Sequence, residues 1–167
     1  MRPSTLHRDR DAAIDVPYKL LLSVVLMTMA TAVLLPTLHA YQQSEVEHRI
    51  QVAIADIDSA ARSVFHHPGS SRTVLVDIPS SGSFHLERLS IGGDLAAPDP
   101  EAAFIRWRHS GGAEGNHLVT TNRGPLSMAG PNGGPLDIEG HQCLLVLEVR
   151  MSPPGSQPDT FVEVRIL

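Results

Sequence analysis

Nine histidines are the residues that most invite a chemical reading of this chain of 167 residues. A protein metal site needs imidazole, thiolate or carboxylate ligands that converge, and ligand pairs at short fixed spacing are its usual sign. The histidines are His7, His39, His48, His66, His67, His85, His109, His117 and His141, and only His66 and His67 are adjacent. Adjacent residues on a helix point in different directions, and no H-x-x-x-H or C-x-x-C pair occurs, so neither a metal nor another cofactor is expected. A nucleophile fares no better. There is no G-x-S-x-G turn. The single cysteine, Cys143, falls on the apolar face of a predicted strand, where a thiol behaves as a small hydrophobe. The glycine pairs are not followed by Gly-Lys-Ser/Thr, so no phosphate loop is present. Trp107 between Arg106 and Arg108 reads either as a binding patch or as a core residue with both arginines on the opposite face, and the alternation favours the core. No enzymatic activity is expected.

Composition narrows the partners. The net charge of −5 and an aromatic content of only 4% argue against nucleic acid and against flat stacking platforms. One cysteine permits no disulfide within the chain, so any domain must hold together by packing. No N-x-S/T sequon occurs, and N-glycosylation is not expected.

The stretch that must position everything else is Leu20 to Leu35, which carries no charge and only Ser23, Thr28 and Thr31 as polar residues. Extended through Pro36 to Ala40 it reaches roughly 20 residues, enough for a helix to cross a bilayer. Arg2, Arg8, Arg10 and Lys19 precede it and Arg49 alone follows closely, which predicts a cytoplasmic N-terminus and an extracellular C-terminal part. Pro36 either kinks this helix or ends it. Beyond Ala40, Val46, Ile50, Ala53, Ile57, Ala60 and Val64 alternate in steps of four and three, one apolar stripe along a helix. That stripe is covered by the protein's own sheet, by the same helix in neighbouring copies, or by each along part of its length. Pro68-Gly69 stops the helix.

From Thr73 the pattern changes to strands: 73–78, 83–91 with a change of phase that predicts a bulge, 103–109, 117–121, short candidates at 126–128 and 136–138, then 142–151 and 161–167. Within 142–151, Cys143, Leu145, Leu147, Val149 and Met151 share one face. The glycine pairs at 92–93, 111–112 and 133–134, with Pro153-Pro154-Gly155, read as hairpin tips. The expected class is α+β: a long N-terminal transmembrane and stalk helix followed by an antiparallel β-sheet or β-sandwich head. The divisions are a charged leader at 1–19, a transmembrane helix at 20–40, an amphipathic stalk at 41–67 and a β-rich head at 68–167.

This order resembles that of type IV pilin-like proteins, and within them the archaeal pilins and pilin-like accessory proteins. The resemblance covers about residues 8 to 65. It is carried by the junction Arg8 to Pro17, by the passage from Leu20–Leu35 into the stripe without a break, and by Leu35-Pro36 with Ala40-Tyr41-Gln42. It implies removal of the leader by a prepilin peptidase, with Ala12 or Ala13 standing where bacterial prepilins have glycine. It also implies an assembly helix including Asp15, Leu20, Val24, Ala30, Pro36, Val46, Ile50, Ala53 and Ile57, with Asp15 in place of the acidic residue that registers subunits. The implied partners are membrane lipid, identical or pilin-like copies through the N-terminal helix, the peptidase and the pilus assembly machinery. The alternative is a single-pass anchored extracellular β-domain that binds a ligand or partner without forming filaments. Cleavage after Ala40 would instead release a secreted domain.

Overall fold

The computed structural model describes residues 6–78, 80–96, 101–140, 142–152 and 159–167, with side chains described from residue 17 onward. The chain divides into two compact units between Tyr41 and Gln42. Both draw on one helix, α1 (Leu6–His66), which has Pro17 and Pro36 inside it.

From residue 17 to the end of the first unit α1 is exposed, and from Leu20 onward it is uncharged and mostly apolar. Pro36 does not end it. Lacking an N–H, Pro36 leaves the Ala32 carbonyl without its helical donor, and the neighbouring Thr37 hydroxyl donates to the Leu34 carbonyl at 2.8 Å. The hydroxyls of Ser23, Thr28 and Thr31 likewise donate to the carbonyls of Leu20, Val24 and Met27 at 2.8, 2.7 and 2.8 Å. The side-chain hydroxyls of this stretch are therefore satisfied within the helix itself, as a segment in hydrocarbon requires. Among the described residues this is the one helix long and apolar enough to cross a membrane.

The second unit begins inside the helix. The stretch that the sequence sets apart as a stalk lies in the same compact unit as the strands. The strands are β1 (Ser71–Asp77), β2 (Leu86–Ile91), β3 (Phe104–His109), β4 (Glu114–Leu118), β5 (Thr120–Thr121), β6 (Gly124–Pro125), β7 (Met128–Ala129), β8 (Leu136–Ile138), β9 (Gln142–Met151) and β10 (Thr160–Ile166). They form two four-stranded sheets, ordered β1-β9-β10-β7 and β4-β3-β2-β8, and a small β5-β6 ribbon. All pairings are antiparallel except β10 with β7, where Val162 lies opposite Met128. The α+β class expected from the sequence is thus the one observed.

Helix stripe and both sheets share one core. Val46, Ile50, Ala53, Ile54, Ile57, Ala61 and Val64 are buried among Val74, Val76, Leu89, Ile91, Ile105, Leu145, Leu147, Val162 and Val164. Each fully buried isoleucine or valine contributes about 1.5–3 kcal/mol relative to exposure, so the stripe alone is a large part of the head's stability. Trp107 packs against this core from β3, and Arg106 and Arg108 are exposed.

Several sequence expectations are corrected. The predicted strand 117–121 is broken at Val119, which turns inward and is fully buried; its N–H donates to the Ala103 carbonyl at 2.9 Å. Met151 does not join the buried face of β9, because the strand has run past the core by then, and it is 86% exposed. Gly92-Gly93 is not a tip. Both residues are buried where the chain leaves β2, and the Gly93 N–H donates to the Met128 carbonyl at 3.2 Å. Gly111-Gly112 does turn between β3 and β4. Pro153-Pro154-Gly155 and His141 lie outside the described residues.

Candidate functional site

The residues expected to form an assembly helix separate into groups along α1. Leu20 and Val24 are about two-thirds exposed, and Ala30 and Pro36 are exposed as well. Val24, Thr28, Thr31, Ala32 and Leu35 line a shallow apolar groove along this part of the helix. Val46, Ile50, Ala53 and Ile57 are instead 5% exposed or less, covered by the strands of their own unit. An apolar row left open from Val46 to Ala53 for neighbouring copies is therefore not present; the inner faces of the two sheets supply the area that covers it. Ala12, Ala13 and Asp15 belong to α1 by backbone, and their side chains lie outside the described residues.

The helix is tied to its unit by polar contacts as well. Arg62 clamps Asp58 through two 2.7 Å hydrogen bonds, Nε to Oδ1 and Nη2 to Oδ2. The ring Nε2 of His117 on β4 lies 3.3 Å from Oδ2 of the same carboxylate. Ser81 donates to Glu45 at 3.2 Å. A Cβ on Gly82 would overlap the Gln42 amide, so glycine lets the loop after β1 close onto the helix. His109 is buried, its Nδ1 accepting from the Gly111 N–H at 3.0 Å. These two histidines have structural work, one clasping helix to edge strand and one closing the β3–β4 turn. Burial also pushes the Cys143 thiol upward from its ordinary pKa, which makes it a poor nucleophile.

The outer face of the β4-β3-β2-β8 sheet is polar, and the sequence gives little sign of it. A bulge between Leu86 and Arg88 sets Arg88 opposite Arg108 on β3, while Ser90 lies opposite Arg106. Arg106 in turn faces Asn116, and Arg108 faces Glu114. Arg88 is held by Asp137 through Nε at 3.0 Å and through Nη2. These hydrogen bonds, against the opposing effect of burial, keep the Asp137 carboxyl below its usual pKa, with help from Ser90. A carboxyl whose folded pKa is lowered adds stability above its unfolded pKa of about 3.9, and that stability is lost as the pH falls through the lowered value. Asp137→Asn is therefore expected to lower the melting temperature slightly at neutral pH and by less at about pH 2. Thermal melts of both proteins at both pH values check this, and an equal gap at both would remove Asp137 as the source.

No curated protein and no solved structure matches this chain. One family model does, over residues 17–165, from the start of the apolar stretch to the last strand, and the chain belongs to that family, described as a domain of unknown function, DUF7311.

Proposed function

We propose that this protein is a pilin-like surface subunit of an archaeal type IV pilus-like filament. Residues 17–41 hold it in the membrane before assembly, with the N-terminus in the cytoplasm and the β-rich unit outside. The observation that carries this reading is the division of labour along α1: an uncharged, exposed apolar stretch whose hydroxyls bond back to the helix passes without a break into a stripe buried in the head. A segment of that kind is satisfied equally by lipid or by identical helices, so exchange between the two has little intrinsic cost. Ala30, Ala32 and the back-bonded threonines allow close approach along it. The family match runs from residue 17 to residue 165 and so takes in the apolar stretch together with the β-rich unit, which supports reading the two as parts of one protein design. Assembly through α1 is then confined to the part before Gln42.

The second reading is a single-pass anchored β-domain that presents its loops to a partner and never assembles. It is favoured by the covered row from Val46 to Ala53, which leaves the second part of the helix no open apolar stripe to offer a neighbour, only the isolated exposed side chain of Val52. Mass spectrometry of the mature N-terminus, on protein from isolated membranes, separates the readings. A start at Ala13 or Ile14 is the expected result and indicates prepilin-type processing. An intact Met1 or Arg2 would favour the anchored module, and a start at Tyr41 would remove the anchor and overturn both.

A further inference from the structure

We infer that the outer face of the β4-β3-β2-β8 sheet carries a binding site for a hydroxylated carboxylic acid of the uronic acid type, with the Arg106 guanidinium as its anchor. The face holds an open, polar depression of about 860 Å³. Its floor is set by strand register. Arg88 and Arg108 lie directly opposite each other, and like charges so placed repel. Each is turned to a carboxylate at its own flank, Arg88 to Asp137 and Arg108 to Glu114 at 2.8 Å. Between the flanks, Arg106 is exposed and has no carboxylate partner among the described residues. Its guanidinium carbon stands 5.6 Å from the centre of the Phe104 ring, which orients it without neutralising it. The Asn116 side chain is its neighbour on β4.

An arginine fork is made for a carboxylate, which it takes through two parallel hydrogen bonds. The rest of the lining decides which carboxylate. Glu87, Glu114 and Glu139 stand around the depression with the three arginines. The glutamates match the arginines in number, so the depression has no net positive charge to hold a polyanion, and phosphate chains, nucleic acid and acidic peptide segments are poor occupants. The same carboxylates accept hydrogen bonds from hydroxyls. One anionic group flanked by several hydroxyl donors satisfies both features, and a sugar acid has that constitution. The inference does not depend on whether copies of the chain assemble.

The test is saturation-transfer NMR on the full chain in detergent micelles, with glucuronate, glucose, acetate and inorganic phosphate as probes. Glucuronate is expected to bind at least about tenfold more tightly than glucose, acetate or phosphate, since a charged hydrogen-bonded pair in a partly open site is worth about that factor. R106Q is expected to bring glucuronate down to the level of glucose. R106K, which keeps the charge and loses the fork, should fall between, and R72Q on β1 of the other sheet should leave binding unchanged. Near-UV circular dichroism shows that each variant is folded. Equal binding of glucuronate and glucose, tighter binding of phosphate, or unchanged glucuronate binding by both folded Arg106 variants would overturn the assignment.

Discussion

Replacing Ile57 with aspartate will abolish the cooperative unfolding of the β-rich unit, whereas replacing Leu26 with aspartate on the same helix will leave that unfolding intact and weaken membrane retention. Ile57 is fully buried where the helix stripe meets both sheets. A carboxylate there has no partner in the core cluster, and burying an unpaired charge costs several kcal/mol beyond the lost apolar contact. A domain of this size is stable by only about 5–15 kcal/mol, so a single such change removes most of it. The milder Ile57→Ala should cost about 2–5 kcal/mol and leave a foldable protein. Leu26 is 57% exposed, in the stretch that supports nothing in the head's core. Aspartate at the centre of a membrane helix costs about 2.5–3.5 kcal/mol for insertion. Thermal melts in detergent and alkaline extraction of membranes read the two effects separately. Loss of the melting transition in the Leu26 variant would mean that the exposed stretch also stabilises the head.

Gly92→Ala is the second large effect, an expected loss of more than about 3 kcal/mol. Gly92 has φ +76°, in the left-handed region, where a side chain costs about 1–2 kcal/mol. Its added Cβ would also overlap the backbone carbonyl of Met128. Neither side can give way cheaply. The Gly92 N–H donates to the Phe104 carbonyl at 2.9 Å, and that same Met128 carbonyl accepts from Gly93 at 3.2 Å. Gly112→Ala is the control: φ is +79°, but beyond its chain neighbours no heavy atom lies within 4 Å of the added carbon, so only the conformational cost of about 1–2 kcal/mol remains. The midpoints of chemical denaturation measure both, and equal shifts would show that the close approach at Gly92 is not rigid.

What could be read from the sequence followed from local periodicity. The steps of four and three from Val46 to Val64 identify the buried face of α1, and alternation in Gln142–Met151 identifies Leu145 and Leu147 as core. The phase change in 83–91 appears as the bulge between Leu86 and Arg88. Pairing was not legible, because it is decided between distant segments. Nothing near Thr160 tells that β10 lies between β9 and β7, or that it meets β7 in parallel. The glycines at 92–93 look like a turn in sequence, and only the approach of Met128 explains why they are glycine. The same limit hid the polar face. Arg106-Trp107-Arg108 gives the facing of each side chain but not the neighbours across the strands, so neither the isolation of Arg106 nor the bond between Asp58 and His117 could be read locally.

The sheet order β1-β9-β10-β7 also fixes a sequence of events in synthesis. β1 is made early, yet its strand partner is β9, and β7 waits for β10. Until those late strands emerge, the apolar stripe of α1 and the inner side of β1 lack the partners that cover them. Long-range pairing of this kind is slow and leaves apolar surface open meanwhile. The first part of α1 has no such dependence, since its hydrogen bonds are local and its hydroxyls are satisfied within one turn. A helix long and apolar enough to cross a bilayer can therefore form well before the β-rich unit has the strand that completes its sheet.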